Sequence, residues 1–145
     1  MEKEKTKMKV AVVSPEREMY AGEADMVFAK GEIGEMGIAP GHLQLLTTLR
    51  PGPLRLLHGE EEELLYVSGG IMEVQPDCIT VLADSIEHPQ DVNEAAALEA
   101  KQAAEQLLQG REKLSDAAEI QKQLMEATAK LQVLELMRMR KSNRK

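Results

Sequence analysis

The sequence predicts an antiparallel β-sandwich or barrel followed by a pair of helices. Three observations carry this. Of the ten glycines and six prolines, all but Gly110 lie between Met1 and Gln90. In that stretch short runs rich in β-branched residues alternate with turn chemistry. From Asp91 onward the composition shifts to Ala, Leu, Glu, Gln, Lys and Met, which favours helix before any periodicity is considered. A length of 145 residues accommodates one domain or two small ones with a real core.

In chain order, strands are expected at about Met8–Val13, Ala24–Lys30, Ile33–Ile38, Gln44–Leu49, Gly52–His58, Glu63–Ser68, Ile71–Gln75 and Cys78–Asp84. They are separated by Ser14-Pro15, Lys30-Gly31, Pro40-Gly41, Arg50-Pro51-Gly52-Pro53, Gly59, Gly69-Gly70 and Pro76-Asp77. Eight or more short strands without intervening helices point to a sandwich or barrel rather than an α/β fold. Glu63-Leu64-Leu65-Tyr66-Val67 and Ile71-Met72-Glu73-Val74 read as strands with one apolar face and one mixed face. Beyond Pro89, Asp91 is the expected N-cap, with Glu94 three residues on, and the helix should run to about Gln109 and stop at Gly110. A second helix should restart at Ser115 or Asp116. Its apolar seam is Ala117, Ile120, Leu124, Ala127, Leu131 and Leu134, spaced 3, 4, 3, 4 and 3. The facing seam on the first helix is Val92, Ala96, Ala103 and Leu107. Alanine buries little area, so pairing should be weak and the hairpin able to open or re-dock. The boundary between a sandwich unit (1–89) and a helical unit (90–145) falls at Pro89.

Composition excludes several function classes. The only aromatics are Tyr20, Phe28 and Tyr66, and the net charge is −7, so neither a stacking platform nor a basic surface for nucleic acid is expected. No apolar run approaches the roughly 18 to 20 residues of a spanning helix, and the polar N-terminus does not read as a signal peptide, so any membrane association should be indirect. Cys78 stands alone, without a disulfide partner or a Cys-x-x-Cys metal site. His42, His58 and His88 lack the spacing that places two ligands on one helix face. Gly31-x-x-Gly34-x-x-Gly37 is read as turn and strand-edge geometry, since no helix follows to offer its N-terminus to a phosphate. Ser68-Gly69-Gly70 lacks nucleophile-elbow spacing and is read as a tight hairpin turn. Glu60 to Glu63 is read as a solvated loop between strands, with no metal site.

Charge is unevenly distributed. The first ninety residues carry 8 basic and 16 acidic side chains, the remainder 10 and 9. Arg138, Arg140, Lys141, Arg144 and Lys145 form an acid-free basic end to the second helix. Two readings stand for it: a solvated tail favoured by the helix dipole, or a latch onto an acidic partner.

Gly34-Glu35-Met36-Gly37-Ile38, Pro40-Gly41-His42, Leu45-Leu46-Thr47, Tyr66-Val67-Ser68-Gly69-Gly70-Ile71-Met72-Glu73-Val74 and Thr80-Val81-Leu82-Ala83-Asp84, with Val12-Val13-Ser14, Met19 and Gly22, resemble the ε subunit of bacterial F-type ATP synthase. The resemblance extends into the helices at Glu99-Ala100-Lys101 and Leu131-Gln132-Val133-Leu134-Glu135-Leu136, leaving out only Met1–Lys7. It implies a flattened, ten-stranded sandwich and a helical hairpin. It further implies a non-catalytic rotor subunit of a proton-translocating synthase, with no cofactor or metal, peripheral on the cytoplasmic face of the bacterial inner membrane. The implied partners are the γ subunit and the c-ring for the sandwich, and the catalytic β subunits for the basic end of the hairpin, which would restrain ATP hydrolysis. Glu35 and His42 become c-ring contact candidates, the alternative for His42 being a turn residue that bonds backbone. Relatives that bind ATP carry an acid and an arginine where this chain has Asn93 and Ala96, which implies weak or no ATP binding. The rival reading is a small β-sandwich enzyme or ligand-binding domain with a helical dimerisation tail, which would need a pocket of convergent polar groups.

Overall fold

The computed structural model describes residues 7–16, 18–110 and 116–143, and the side chains of all of these except Glu18, Met19 and 141–143. Ten strands form two five-stranded sheets. β1 (Met8–Val13), β2 (Glu18–Ala24), β5 (Leu45–Leu49), β8 (Gly70–Gln75) and β9 (Cys78–Ala83) make the first, in the order β2-β1-β9-β8-β5. β3 (Met26–Lys30), β4 (Glu35–Ile38), β6 (Gly52–His58), β7 (Glu61–Val67) and β10 (Ile86–Glu87) make the second, in the order β10-β7-β6-β3-β4. The pairing is antiparallel except between β1 and β9, which run parallel with Val10 opposite Ile79 and Val12 opposite Val81.

Period-two alternation builds the core between the sheets. Met8, Val10 and Val12 from β1, Val27 and Ala29 from β3, Leu54 and Leu56 from β6, Leu65 and Val67 from β7, Met72 and Val74 from β8, and Ile79 and Val81 from β9 are all buried there. Each of the larger side chains contributes about 1.5–3 kcal/mol of burial. At the sandwich edge the Lys7 ammonium bonds Asp25 at 2.7 Å and the Gly59 N–H donates to the same carboxylate at 2.7 Å, holding Asp25 below the usual carboxylate range.

Several expectations need correction. Gly69-Gly70 is not a hairpin turn, because β7 and β8 lie in different sheets and these residues carry the chain between them. Both have positive φ, and a Cβ on Gly70 would stand 2.2 Å from the Leu82 carbonyl oxygen, so the close backbone approach requires glycine. Glu61 and Glu62 belong to β7 rather than to a loop, extending the strand expected from Glu63, and the three pair with His58, Leu57 and Leu56. The Gly31–Gly34 turn joins β3 to β4, closed by the Gly31 N–H donating to the Gly34 carbonyl at 2.9 Å.

A 3-10 turn at Pro89–Asp91 leads into α1 (Glu94–Gln109), which is followed by α2 (Ala117–Asn143). The N-cap is Asn93, not Asp91: its side-chain oxygen accepts from the Ala96 N–H at 3.0 Å, while Asp91 is held in the 3-10 turn by its own N–H donating to the His88 carbonyl. Gly110 closes α1, its N–H donating to the Gln106 and Leu107 carbonyls. Asp116 immediately precedes α2; Ser115 lies outside the described residues.

Candidate functional site: the hairpin seat and the outer sheet face

α1 packs chiefly on α2, and α2 packs on β6 and β7. In β7 four consecutive residues, Leu64 to Val67, are buried, because both faces are covered: Leu65 and Val67 face the sandwich core, Leu64 and Tyr66 face α2. Of the two faces expected for this strand, the apolar one, made by Leu64 and Tyr66, lies under α2, and the mixed one, which begins at Glu63, gives Leu65 and Val67 to the sandwich core. Ala129, Val133 and Leu134 of α2 join Leu64, Tyr66 and Val92 in one cluster, flanked by Leu136 and Met137. Val133 is 0 % exposed and Tyr66 1 %. Burial, with the charges of Glu126 and Glu87, pushes the Tyr66 phenol well above its ordinary value. The Lys130 ammonium lies 5.5 Å over the Tyr66 ring and 3.8 Å from Glu87. Nearer β4 the fit is looser, leaving a cleft of about 210 Å³ lined by Lys30, Glu35, Pro53, Arg55, Gln132 and Leu136.

The seam on α1 is displaced from the expected one. Ala96, Ala103 and Leu107 are exposed, while Ala97 and Ala104 are buried with Leu108 half-buried beside them. Val92 is buried but precedes the helix, so counting the helical period from it sets the wrong phase. On α2, Ala127 and Leu134 are buried and Ala117, Ile120, Leu124 and Leu131 half-buried. A second stripe, Met125, Ala129, Val133 and Met137 at intervals of four, includes the Ala129, Val133 and Met137 contacts to the sheet; sequence reasoning missed it, although the spacing was there to be seen.

Arg138 Nη2 donates to Glu94 Oε1 at 2.5 Å, and Arg140 Nη1 donates to the Glu62 carbonyl at 2.8 Å. The side chain of Lys141, and Arg144 and Lys145 altogether, lie outside the described residues. Glu35 is exposed on β4, 3.8 Å from Arg55, which also pairs with Glu62 at 2.8 Å and stacks 4.7 Å over Phe28. His42 is half-buried in the β4–β5 loop with Nδ1 2.7 Å from the Leu43 carbonyl, while Leu43 itself is exposed. The structure thus brings Glu35 toward the hairpin seat and leaves His42 apart from it.

On the outer face of the first sheet, Ile71 of β8 sits opposite Leu82 of β9, which lies opposite Val13, and Leu46 of β5 is close by. Leu46 is 71 % exposed, Leu82 54 % and Ile71 43 %. These are large aliphatics facing solvent near the ends of their strands, Leu46 lying diagonal to Ile71 because its direct partner on β8 is Glu73. This group too escaped sequence reasoning; the signal was Ile71-Met72, adjacent apolar residues that must face opposite sides. Ser68 and His58 stand at opposite ends of the β6–β7 pair, and the Ser68 hydroxyl accepts from Ser85 at 2.9 Å, so no nucleophile–base pair forms there. Among the described residues no cluster of His, Cys, Asp or Glu is placed to hold a metal, and no helix is long and apolar enough to cross a membrane.

Residues 7–89 match the family model described as the beta-sandwich domain of the ATP synthase Delta/Epsilon chain. The chain is 54 % identical over 129 residues to the ATP synthase epsilon chain of Acidithiobacillus ferridurans, covering 89 % of this chain and 92 % of that one. It is 49 % identical over 132 residues to the ATP synthase epsilon chain of Nitrosococcus oceani, covering 90 % and 94 %. In fold it is similar to a chain of the Euglena gracilis mitochondrial ATP synthase OSCP/F1/c-ring structure, with TM-score 0.70 at 14 % identity, covering 93 % of this chain and 81 % of that one. A chain of the Tetrahymena thermophila central stalk and c-ring gives TM-score 0.63 at 16 % identity, covering 92 % and 99 %. Matched by that family model through its sandwich and by these relatives over most of its length, the chain belongs to the ATP synthase epsilon chain family.

Proposed function

We propose that this chain is a non-catalytic central-stalk subunit of a proton-translocating ATP synthase that couples c-ring rotation to ATP synthesis and restrains ATP hydrolysis through α1 and α2. The observation that carries the reading is the solvent-facing group of Leu46, Ile71 and Leu82, which supplies an apolar docking face for the γ subunit. Glu35 and His42, with the exposed Leu43 beside the latter, are the proposed c-ring contacts. In the conformation described the hairpin lies on the sandwich. Leu98 and Leu107 of α1 and Met139 of α2 stay exposed there, available to a second docking position. In that position Arg138, Arg140, Lys141, Arg144 and Lys145 would face the catalytic β subunits. The proposed location is peripheral, at the cytoplasmic face of the bacterial inner membrane.

The test is co-purification from membrane extracts using the full chain as bait. The wild type should retain the γ subunit and the c-ring, and the Ile71→Glu, Leu82→Glu double variant should lose the γ subunit, with native circular dichroism preserved. Equal retention by both would remove the γ face; retention of neither partner by the wild type would remove the rotor reading.

A further inference from the structure

The basic end of α2 is already engaged within the chain. Arg138 reaches across the open end of the hairpin to Glu94, in the first turn of α1, where the helix dipole also favours a carboxylate. Arg140 reaches the sheet instead. β7 is flanked by β6 along its length but by β10 only at Tyr66 and Val67, and beside that open edge the Glu62 carbonyl accepts from Arg140. The Glu62 carboxylate is itself tied to Arg55, which Phe28 and Glu35 hold in place. One contact therefore closes the hairpin and the other fastens it to the sandwich.

We propose that Glu94 and the Glu62 carbonyl form an internal clamp that competes with an acidic partner for the guanidinium groups of Arg138 and Arg140. This rests on the reading of the basic end as a partner latch. Lifting α2 off β7 breaks the Arg140 bond, and parting α1 from α2 breaks the Arg138 pair. The released groups are then the ones a carboxylate-rich surface binds best, since the guanidinium fork matches carboxylate geometry. A ligand shifts a two-position element only through contacts that differ between the positions; the Arg140 contact differs once α2 leaves β7, and the Arg138 pair once the helices also part. An acidic partner must therefore outbid the clamp, which keeps the hairpin down until the partner is near.

Hydrogen exchange of the full chain tests the clamp. Glu94→Gln and Arg138→Gln should each speed exchange of the α2 amides by about two- to fivefold, the range for an exposed ion pair. The double variant should be no faster than either single one, as a shared contact requires. Arg140→Gln should act in the same direction, and Glu99→Gln, an exposed glutamate on the same helix, should leave α2 unchanged. Single effects that multiply in the double variant, or no change in any, would overturn the clamp. A second arm measures binding of a poly-glutamate peptide. Glu94→Gln should tighten it by about the same two- to fivefold, and equal affinity in both forms would overturn the competition. A peptide that binds no form would sink the partner-latch reading, while the exchange result still decides the clamp.

Discussion

Truncating Val133 to alanine removes two carbons from a side chain that is wholly buried between α2 and the Leu64–Tyr66 face of β7. At about 0.8 kcal/mol per buried carbon plus a contribution from the cavity left behind, the docked position loses about 1.5–2 kcal/mol. Alanine has the higher helix propensity, but that stabilises α2 in either position and cancels in the docking balance. Since about 1.4 kcal/mol is a factor of ten, undocking should become about ten- to thirtyfold more populated. Native-state hydrogen exchange on the full chain reads this, because a helix lifted off the sheet loses the packing that stabilises it and exchanges as it frays. The α2 amides around residues 129–137 should exchange faster by that factor. Amides of Val10, Val12, Ile79 and Val81, in a core that Val133 does not touch, should keep their rates. Two results would refute the reasoning. An α2 acceleration below about threefold, that is about 0.7 kcal/mol, would mean the cluster does not hold the helix. Equal acceleration in β1 and β9 would mean that α2 opens only when the sandwich unfolds.

Other perturbations test separate parts of the structure. Tyr66 ionises less readily in the docked state, so the docking it supports is fully present below pH about 10 and is lost as pH rises beyond it, because the undocked phenol ionises first. Alkaline titration followed by α2 exchange should show this loss in the wild type and a reduced loss in Tyr66→Phe; identical curves would exclude the phenol as the cause. Isothermal calorimetry of the full chain with ATP should show weak or no binding, since the N-cap oxygen of Asn93 and the methyl of Ala96 offer phosphate no cation; a micromolar dissociation constant would contradict this. In the assembled enzyme, deletion of residues 111–145 should raise ATP hydrolysis without preventing assembly, and neutralising Arg138, Arg140 and Lys141 together should weaken inhibition and its salt dependence. Unchanged hydrolysis would remove the inhibitory role of the hairpin.

Much of the fold was written locally in the sequence. β1 and β6 have the bounds expected of them because Ser14-Pro15, Pro51-Gly52 and Gly59 bracket them with turn chemistry. β2 was not foreseen: its residues, Glu-Met-Tyr-Ala-Gly-Glu-Ala, have little strand propensity and are held by pairing with β1. β10 is two residues long and exists only through Val67 and Tyr66. The parallel β1–β9 pair joins residues some seventy positions apart, which no turn signal reports. The hairpin seat was partly hidden for a related reason. An apolar pair such as Leu64 and Tyr66 is visible as a sequence feature, but what covers it depends on where α2 returns.

The scarcity of aromatics gains a structural meaning from where they fall. The sandwich core is aliphatic, and the one fully buried aromatic ring, Tyr66, lies outside it under α2. The grip on the hairpin is thus graded. α1 rests on α2 through Ala97 and Ala104, small side chains that bury little, whereas α2 sits on Tyr66, Leu64 and Val92 through Val133, Leu134 and Ala129. Burial scales with area, so each buried alanine of α1 contributes less to its contact than Tyr66, Leu64 or Val133 contributes to the seat of α2. The α1–α2 contact is also the one that the Arg138–Glu94 pair reinforces, and the cleft beside Arg55 leaves the far side of α2 incompletely packed. A hairpin held this way has its opening set by a few identifiable groups rather than by a broad core, and each of them, Tyr66, Val133, Glu94 and Arg138, can be altered without touching the sandwich core.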